Sequence, residues 1–123
     1  MLHDHIDLRV SNVENVRPLY DALLPALGYT RVNSDGDQLY YHLPGDDIDF
    51  FGINADPEHR PNGTRIAFAA ASREQVDELA AVARTAGARA FEPPHLCTEY
   101  STTYYATFFK DAEGNNFEIC CRN

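Results

Sequence analysis

The chain has 123 residues, the size of one domain, and 44% of them are hydrophobic. Nineteen acidic against ten basic side chains give a formal net charge of −9, which argues against a nucleic-acid partner and against docking on an anionic membrane. No apolar run approaches the ~20 residues of a membrane-spanning helix. The 3 cysteines follow no zinc-binding pattern, and the simplest expectation is a reduced cytoplasmic protein.

The first half of the chain predicts a strand, a helix and three further strands, from its hydrophobic periodicity and its turn residues. These elements are a strand at 2–10, a helix from Ser11 or Asn12 to about Leu27, strands at 29–33 and 38–43 around the turn Ser34–Asp37, and a strand at 47–54. Gly28 is expected to end the helix because glycine readily adopts the left-handed conformation found after helix ends.

The second half predicts the same succession of elements. Residues 55–63 contain two prolines and a glycine and have the composition of a linker. Ser72 and Gln75 form a capping box that begins a helix. The predicted elements are a strand at 64–71, a helix at 72–85 and strands at 89–92, 102–110 and 116–122.

An internal repeat follows from this succession. The segment His5–Val10 resembles Arg65–Ala70, and the segment 45–51 resembles 114–120, which matches Asp49 with Glu118. The sequence therefore predicts an α+β fold of two βαβββ modules. They are expected at 1–54 and 64–123 in a single domain, because one module alone buries its sheet poorly.

Four equivalent positions are singled out by this repeat. In the first strand of each module the apolar residues should face the helix, which directs His5 and Arg65 to the opposite face. In the last strands Ile48 and Phe50, and likewise the neighbours of Glu118, should face the helix, which directs Asp49 and Glu118 to the same side as His5. An imidazole and two carboxylates that converge in one cleft suit a divalent metal ion.

The chain resembles the vicinal oxygen chelate superfamily, which includes glyoxalases, bleomycin-resistance proteins and extradiol dioxygenases. The similarity spans nearly the whole chain and is most specific in its closing segment. It is carried by His5–Ser11, Leu19–Asp21, Leu27–Tyr29, Ile66–Ala70 and Tyr104–Glu118. It implies a glyoxalase-like fold, in which two βαβββ modules form a curved mixed sheet around a cleft, and commonly a homodimer that acts on a small molecule.

In metal-dependent members of that superfamily the ligands come from the first and last strands of each module. By resemblance these positions are His5, Asp49, residue 65 and Glu118. Here residue 65 is an arginine, and a guanidinium has no lone pair to offer a cation. Arg65 could instead pair with Asp49 or Glu118, or hold an anionic group of a substrate.

Other interpretations of these residues remain open. His5 could belong to the solvated face of its strand, and His3 could replace the missing ligand. Asp49 and Glu118 could be solvated strand carboxylates. Tyr100 and Tyr105 could wall a substrate pocket, or could be core or dimer-contact aromatics. Cys120, beside Glu118, could be a reactive thiol but is more simply a small buried hydrophobe.

Three functional hypotheses follow. The first is a metal-assisted lyase, isomerase or dioxygenase, in which His5, Asp49 and Glu118 hold Fe, Mn, Ni or Zn and a carboxylate acts as base. The alternative is a metal-free protein that sequesters a cationic small molecule, in the manner of bleomycin-resistance proteins, which suits the negative charge and Arg65. The third is a metal-free isomerase or epimerase that uses Asp49 or Glu118 as base and Arg65 as an anion clamp.

Overall fold

The computed structural model describes residues 2–32 and 36–123. The predicted turn Ser34–Asp37 and the end of the strand at 29–33 lie partly outside the described residues. The chain divides into two compact units, residues 1–60 and residues 61–123, which are called here the first unit and the second unit. The division falls inside the segment 55–63 that the composition identified as a linker.

The first unit is one helix on a four-stranded sheet. Its elements are β1 (Ile6–Val10), α1 (Val13–Ala26), β2 (Thr30–Val32), β3 (Gln38–His42) and β4 (Asp49–Ala55). The strand order is β1-β4-β3-β2, with β1 parallel to β4 and the other pairs antiparallel. As predicted, α1 begins where the Asn12 side chain accepts a hydrogen bond from the Glu14 amide at 3.0 Å and is followed by Gly28, at φ 111°.

The core of the first unit lies between α1 and one face of its sheet. The helix contributes Val16, Tyr20 and Leu23, each fully buried, and β4 contributes Phe51 and Ile53, which are also 0% exposed. The expectation that Ile48 and Phe50 face the helix is therefore wrong. Strand alternation starts one residue later than the sequence pattern suggested, and Ile48 is 57% exposed.

The second unit repeats the first. Its elements are β5 (Arg65–Ala69), α2 (Arg73–Thr85), β6 (Arg89–Leu96), β7 (Tyr105–Lys110) and β8 (Asn116–Cys121). The strand order β5-β8-β7-β6, with β5 parallel to β8, has the same topology as the first unit. The predicted duplication of a βαβββ module in an α+β fold is thus confirmed.

The strand predicted at 89–92 continues to Leu96, through Pro93 and Pro94. Proline lacks an amide donor, and β6 tolerates two of them because it lies at the edge of its sheet. In the core beneath α2, the rings of Phe68, Phe117 and Phe109 stack in series with centroid separations of 6.0 and 5.9 Å. Among the described residues, no helix is long and apolar enough to cross a membrane.

Candidate functional site

The hydrogen-bond ladders decide which residues of the two units are equivalent. The helix N-caps Asn12 and Ser72 are sixty residues apart, so β1 and β5 are aligned at that offset. Ile6 pairs with Phe51 in the first unit, and Ile66 pairs with Phe117 in the second. One residue further along each last strand, the counterpart of Glu118 is Gly52.

The predicted equivalence of Asp49 and Glu118 is therefore wrong. Counted along the strand from the paired phenylalanines, Asp49 corresponds to Asn115. The local similarity of the segments 45–51 and 114–120 misled the alignment because the loops before the last strands differ in length. Opposite its helix, the first unit thus carries a histidine and a glycine where the second unit carries Arg65 and Glu118.

The open face of the first sheet, opposite α1, contains a cavity of about 450 Å³. Three carboxylates and one imidazole supply most of its polar character. The lining residues are Asp4, His5, Ile6, Asp7, Tyr40, Ile48, Asp49, Gly52 and Asn54. Two predicted site residues, His5 and Asp49, are thus brought to one cavity.

A β-bulge brings Asp49 to this cavity. Tyr41 pairs with Phe51, but His42 pairs with Asp49, so two residues of β4 oppose one residue of β3. Without the bulge, alternation from the buried Phe51 would direct Asp49 toward the helix. The bulged position is held by a contact of 2.8 Å between His42 Nε2 and Asp49 Oδ1. The bulge therefore re-aims a carboxylate into the cavity.

A chain of hydrogen bonds crosses the floor of the cavity. The Tyr40 hydroxyl donates to Asn54 Oδ1 at 3.3 Å, and the Asn54 amide donates to Asp7 Oδ1 at 2.7 Å. The other Asp7 oxygen accepts from Arg9 at 3.1 Å. Sequence reasoning missed Tyr40 and Asn54, since their contact depends on the pairing of β3 with β4. The one available signal was Asn54, a polar residue in the largely apolar strand β4.

The open face of the second sheet, opposite α2, carries a buried carboxylate. Glu118 is 6% exposed and accepts a hydrogen bond from the Tyr104 hydroxyl. Ala106, between Tyr104 and Phe108 in the chain, has only a methyl group and leaves room for this diagonal contact. Burial and hydrogen bonds to Cys120 and Glu118 raise the pKa of Tyr104, which keeps the phenol in its neutral, donating form. Tyr104 is a third site residue that sequence reasoning missed.

Arg65 lies over an aromatic ring on this same face. Its guanidinium carbon is 5.0 Å from the centroid of Phe108, which pairs with Glu118 in the ladder. Among the described residues, Arg65 forms no ion pair with Glu118. Arg122 lies similarly over Tyr104, at 4.9 Å. Two stacked guanidinium groups therefore share the open face with the buried carboxylate.

The two predicted pocket tyrosines lie in different places. The Tyr105 hydroxyl donates to Asp77 of α2 at 2.7 Å, and Arg73 of α2 lies over its ring, so Tyr105 is on the helix-covered face. That position does not favour Tyr105 as a wall of a pocket on the open face. Tyr100 is 57% exposed and packs edge-on against Tyr104 with centroids 5.0 Å apart.

The side chains present do not fit a resident metal ion. No group of three or more His, Cys, Asp or Glu residues in ranges 2–32 and 36–123 is arranged to hold one. In the first unit, Gly52 stands where the second has a carboxylate, and His5 Nδ1 contacts Asp4 at 2.7 Å. In the second unit, Arg65 stands at the position that corresponds to His5, and one carboxylate oxygen of Glu118 already accepts a hydrogen bond from the Tyr104 hydroxyl. At these two aligned positions, each unit thus keeps only one member of a His–carboxylate pair.

Comparison by sequence finds no matching family model and no matching curated protein. Comparison of structures finds many similar chains. A glyoxalase/bleomycin resistance protein from Albidiferax ferrireducens T118 is 27% identical, with 100% of both chains covered and a TM-score of 0.79.

Two further structures share the fold at lower identity. A glyoxalase/bleomycin resistance protein/dioxygenase family enzyme from Burkholderia phytofirmans PsJN is 19% identical, with 98% of each chain covered and a TM-score of 0.71. A genomically encoded fosfomycin resistance protein from Listeria monocytogenes is 17% identical, with 100% of this chain and 94% of that chain covered and a TM-score of 0.73. With its duplicated βαβββ module and this full-length similarity, the chain has the fold of glyoxalase/bleomycin resistance proteins, which supports its resemblance to the vicinal oxygen chelate superfamily.

Proposed function

We propose that this protein binds a small cationic molecule in the cavity of the first unit and does so without a resident metal ion. The observation that carries the proposal is the lining of that cavity. Asp4, Asp7 and Asp49 place three carboxylates around about 450 Å³, and His5 is its one basic lining residue. A volume of this order is typical of small-molecule sites.

Electrostatics favour a cation at this place for two reasons. The first reason is local: three carboxylates line the cavity, and the side chains of Asp49 and Asp4 are 56% and 84% exposed. The far field comes from the net charge of −9, which attracts cations and repels anions over distances near the Debye length. A neutral ligand would gain nothing from either contribution.

Metal independence is supported by the donor sets described above. A metal-assisted lyase or dioxygenase needs converging lone pairs, and Arg65 and Gly52 supply none at two of the four equivalent positions. Vicinal oxygen chelate chemistry depends on open coordination positions at such a metal. The binding hypothesis requires no group beyond the side chains that line the cavity.

Titration calorimetry and thermal shift against a panel of cationic antibiotics test the proposal. A ligand that binds the native state should raise the melting temperature in a concentration-dependent manner. Asp49→Asn should weaken binding roughly 2- to 5-fold, the effect of one exposed charge, while the asparagine amide can still form a hydrogen bond with His42 Nε2. Glu78→Gln, which removes an exposed charge from α2, is the matched control and should leave affinity unchanged.

The outcomes are distinguishable. Weakening by added salt, together with a selective effect of Asp49→Asn, supports the proposal. Flat melting curves across the panel, or equal effects of Asp49→Asn and Glu78→Gln, count against it.

A second candidate is a metal-independent isomerase in which Glu118 moves a proton and Arg65 holds an anionic group. The buried Glu118 favours it, since Tyr104 is the hydrogen-bond partner of Glu118 among the described residues and the second carboxylate oxygen is left for a ligand. Deuterium exchange from solvent into small carboxylic acids, followed by NMR, tests this candidate. Exchange that disappears in Glu118→Gln would establish it, and absence of exchange would leave binding as the function.

A further inference from the structure

We propose that the cation recognised in the first-unit cavity is a methylated ammonium group that sits against the ring of Tyr40. This inference rests on the proposed function and specifies its ligand class. It depends on three features of the cavity: the position of the Tyr40 ring, the hydrogen bonds that hold this ring, and the contacts that the surrounding carboxylates already make with neighbouring side chains.

The ring of Tyr40 lies directly against the backbone of β4. A Cβ atom built at Gly52 would be 3.3 Å from Tyr40 Cε1 and 3.4 Å from Cδ1, closer than most side chains tolerate. The absence of a side chain at residue 52 therefore makes room for the ring. Tyr40 and Gly52 both line the cavity, and this cross-strand pair corresponds to Phe108 and Glu118 in the second unit, so the first unit keeps the aromatic ring and lacks the carboxylate beside it.

The orientation of the ring is held by its hydroxyl. That hydroxyl donates to Asn54, whose amide donates to Asp7, whose second oxygen accepts from Arg9. Because the hydroxyl already donates its hydrogen bond to Asn54, we expect a ligand to contact the aromatic ring of Tyr40. An aromatic ring attracts a cation through its quadrupole, and quaternary ammonium groups are recognised in this way.

The carboxylates around the ring suit a cation without hydrogen-bond donors better than a cation that must donate hydrogen bonds in a fixed geometry. Both oxygens of Asp7 accept hydrogen bonds, from Asn54 and Arg9. One oxygen of Asp49 contacts His42, and one oxygen of Asp4 contacts His5. A guanidinium needs two parallel acceptors, and none of the three carboxylates has both oxygens free. A trimethylammonium group needs only negative potential and apolar contact, which Ile48 and Gly52 also supply.

Three small probes separate charge from shape. Choline carries a trimethylammonium group, 3,3-dimethylbutan-1-ol is its neutral isostere, and ethanolamine carries the same charge with N–H donors. Calorimetry should show binding of choline, weaker binding of ethanolamine and no binding of the neutral alcohol. In NMR, the N-methyl protons of choline should shift upfield in the presence of the protein, because they lie against an aromatic ring.

Two variants isolate the ring. Tyr40→Leu should weaken choline binding roughly 3- to 30-fold, the range of cation–π interactions from exposed to desolvated sites. Tyr40→Phe keeps the ring but loses the hydroxyl that orients it, and should weaken choline binding less than Tyr40→Leu does. Circular dichroism and the melting temperature establish that each variant is folded. Phenylalanine, with its small change in volume, preserves a testable protein even if leucine unfolds the sheet.

The inference and the proposed function can fail separately. If ethanolamine binds as tightly as choline and Tyr40→Leu has no effect, the methylated-ammonium assignment is overturned while cation binding stands. If the neutral alcohol binds as well as choline, the site recognises shape and both proposals fall. Upfield shifts that vanish in Tyr40→Leu and persist in Tyr40→Phe establish the inference.

Discussion

Gly52 in the first unit occupies the position that Glu118 occupies in the second. Both residues follow the phenylalanine that pairs with the isoleucine of the parallel neighbouring strand. The glycine admits the ring of Tyr40, whereas the glutamate is buried beside Tyr104. A duplicated fold has thus produced two unlike surfaces, one an acidic cavity with an aromatic floor and the other a buried carboxylate flanked by arginines.

The close approach of Gly52 and Tyr40 predicts an energetic coupling between them. Gly52→Ala adds a methyl group 3.3 Å from the ring, and crowding of this kind costs about 1–3 kcal/mol against the small gain of alanine over glycine in a strand. In a Tyr40→Ala background the same change should be neutral or stabilising. Urea unfolding of the four proteins should give a coupling of at least ~0.5 kcal/mol, and strict additivity would contradict the contact.

The hydrogen bond from Tyr104 predicts a stability loss in the second unit. Tyr104→Phe removes the hydroxyl that donates to the buried Glu118 and leaves the carboxylate without that donor. We expect a loss of about 1–3 kcal/mol in the free energy of unfolding, measured by urea denaturation. Tyr100→Phe, at an exposed ring on the same surface, is the control and should change it by less than about 0.5 kcal/mol.

Removing the charge as well tests the origin of that loss. In a Glu118→Gln background, Tyr104→Phe should cost less, because an uncharged amide has a smaller penalty for burial without a partner. An equal cost in both backgrounds would show that the phenol matters through packing alone.

Tyr41 predicts a loss of stability at alkaline pH. Burial, reinforced by the hydrogen bond of its hydroxyl to Asp21 at 2.8 Å, raises the pKa of Tyr41 above its usual ~10. The folded state therefore retains a proton that the unfolded chain releases, so the stabilisation is complete below pH ~10 and declines as the pH rises above it. Burial also raises the pKa of Tyr104, which acts in the same direction.

Urea unfolding between pH 8 and pH 11 measures this effect, at pH values chosen to bracket the usual ~10 of tyrosine. The free energy of unfolding should fall with pH in the wild type and fall less steeply in Tyr41→Phe, which has no hydroxyl to titrate. Identical slopes in the two proteins would contradict the assignment to Tyr41.

The donor sets of the two units predict that the protein functions without a bound metal. Protein purified without chelators should contain no stoichiometric Fe, Mn, Ni or Zn by elemental analysis, and titration with each ion should leave the melting temperature unchanged. Choline binding should be insensitive to EDTA. A stoichiometric metal ion that raises the melting temperature would contradict metal independence. It would favour the metal-assisted lyase, isomerase or dioxygenase instead.

Local sequence patterns predicted much of this fold because they report local physics. Asn12 and Ser72 begin helices by accepting backbone hydrogen bonds, and Gly28 and Gly87 follow helices at positive φ. The alternation of β1 and β5 placed His5 and Arg65 opposite the helices. These features depend on neighbours a few residues away, and their recurrence revealed the duplication. The homodimer implied by resemblance stays a prediction.

The sequence by itself thus determined the two βαβββ modules, the negative charge and the absence of a lone pair at residue 65. Only the tertiary structure decided that Glu118 corresponds to Gly52, that a bulge turns Asp49 into the cavity, that Tyr40 lines this cavity, and that Tyr104 donates to Glu118. The physical reason is that strand register is set by hydrogen bonds between segments distant in the chain. A shift of one residue exchanges the two faces of a strand, and no local pattern resolves it when loop lengths differ.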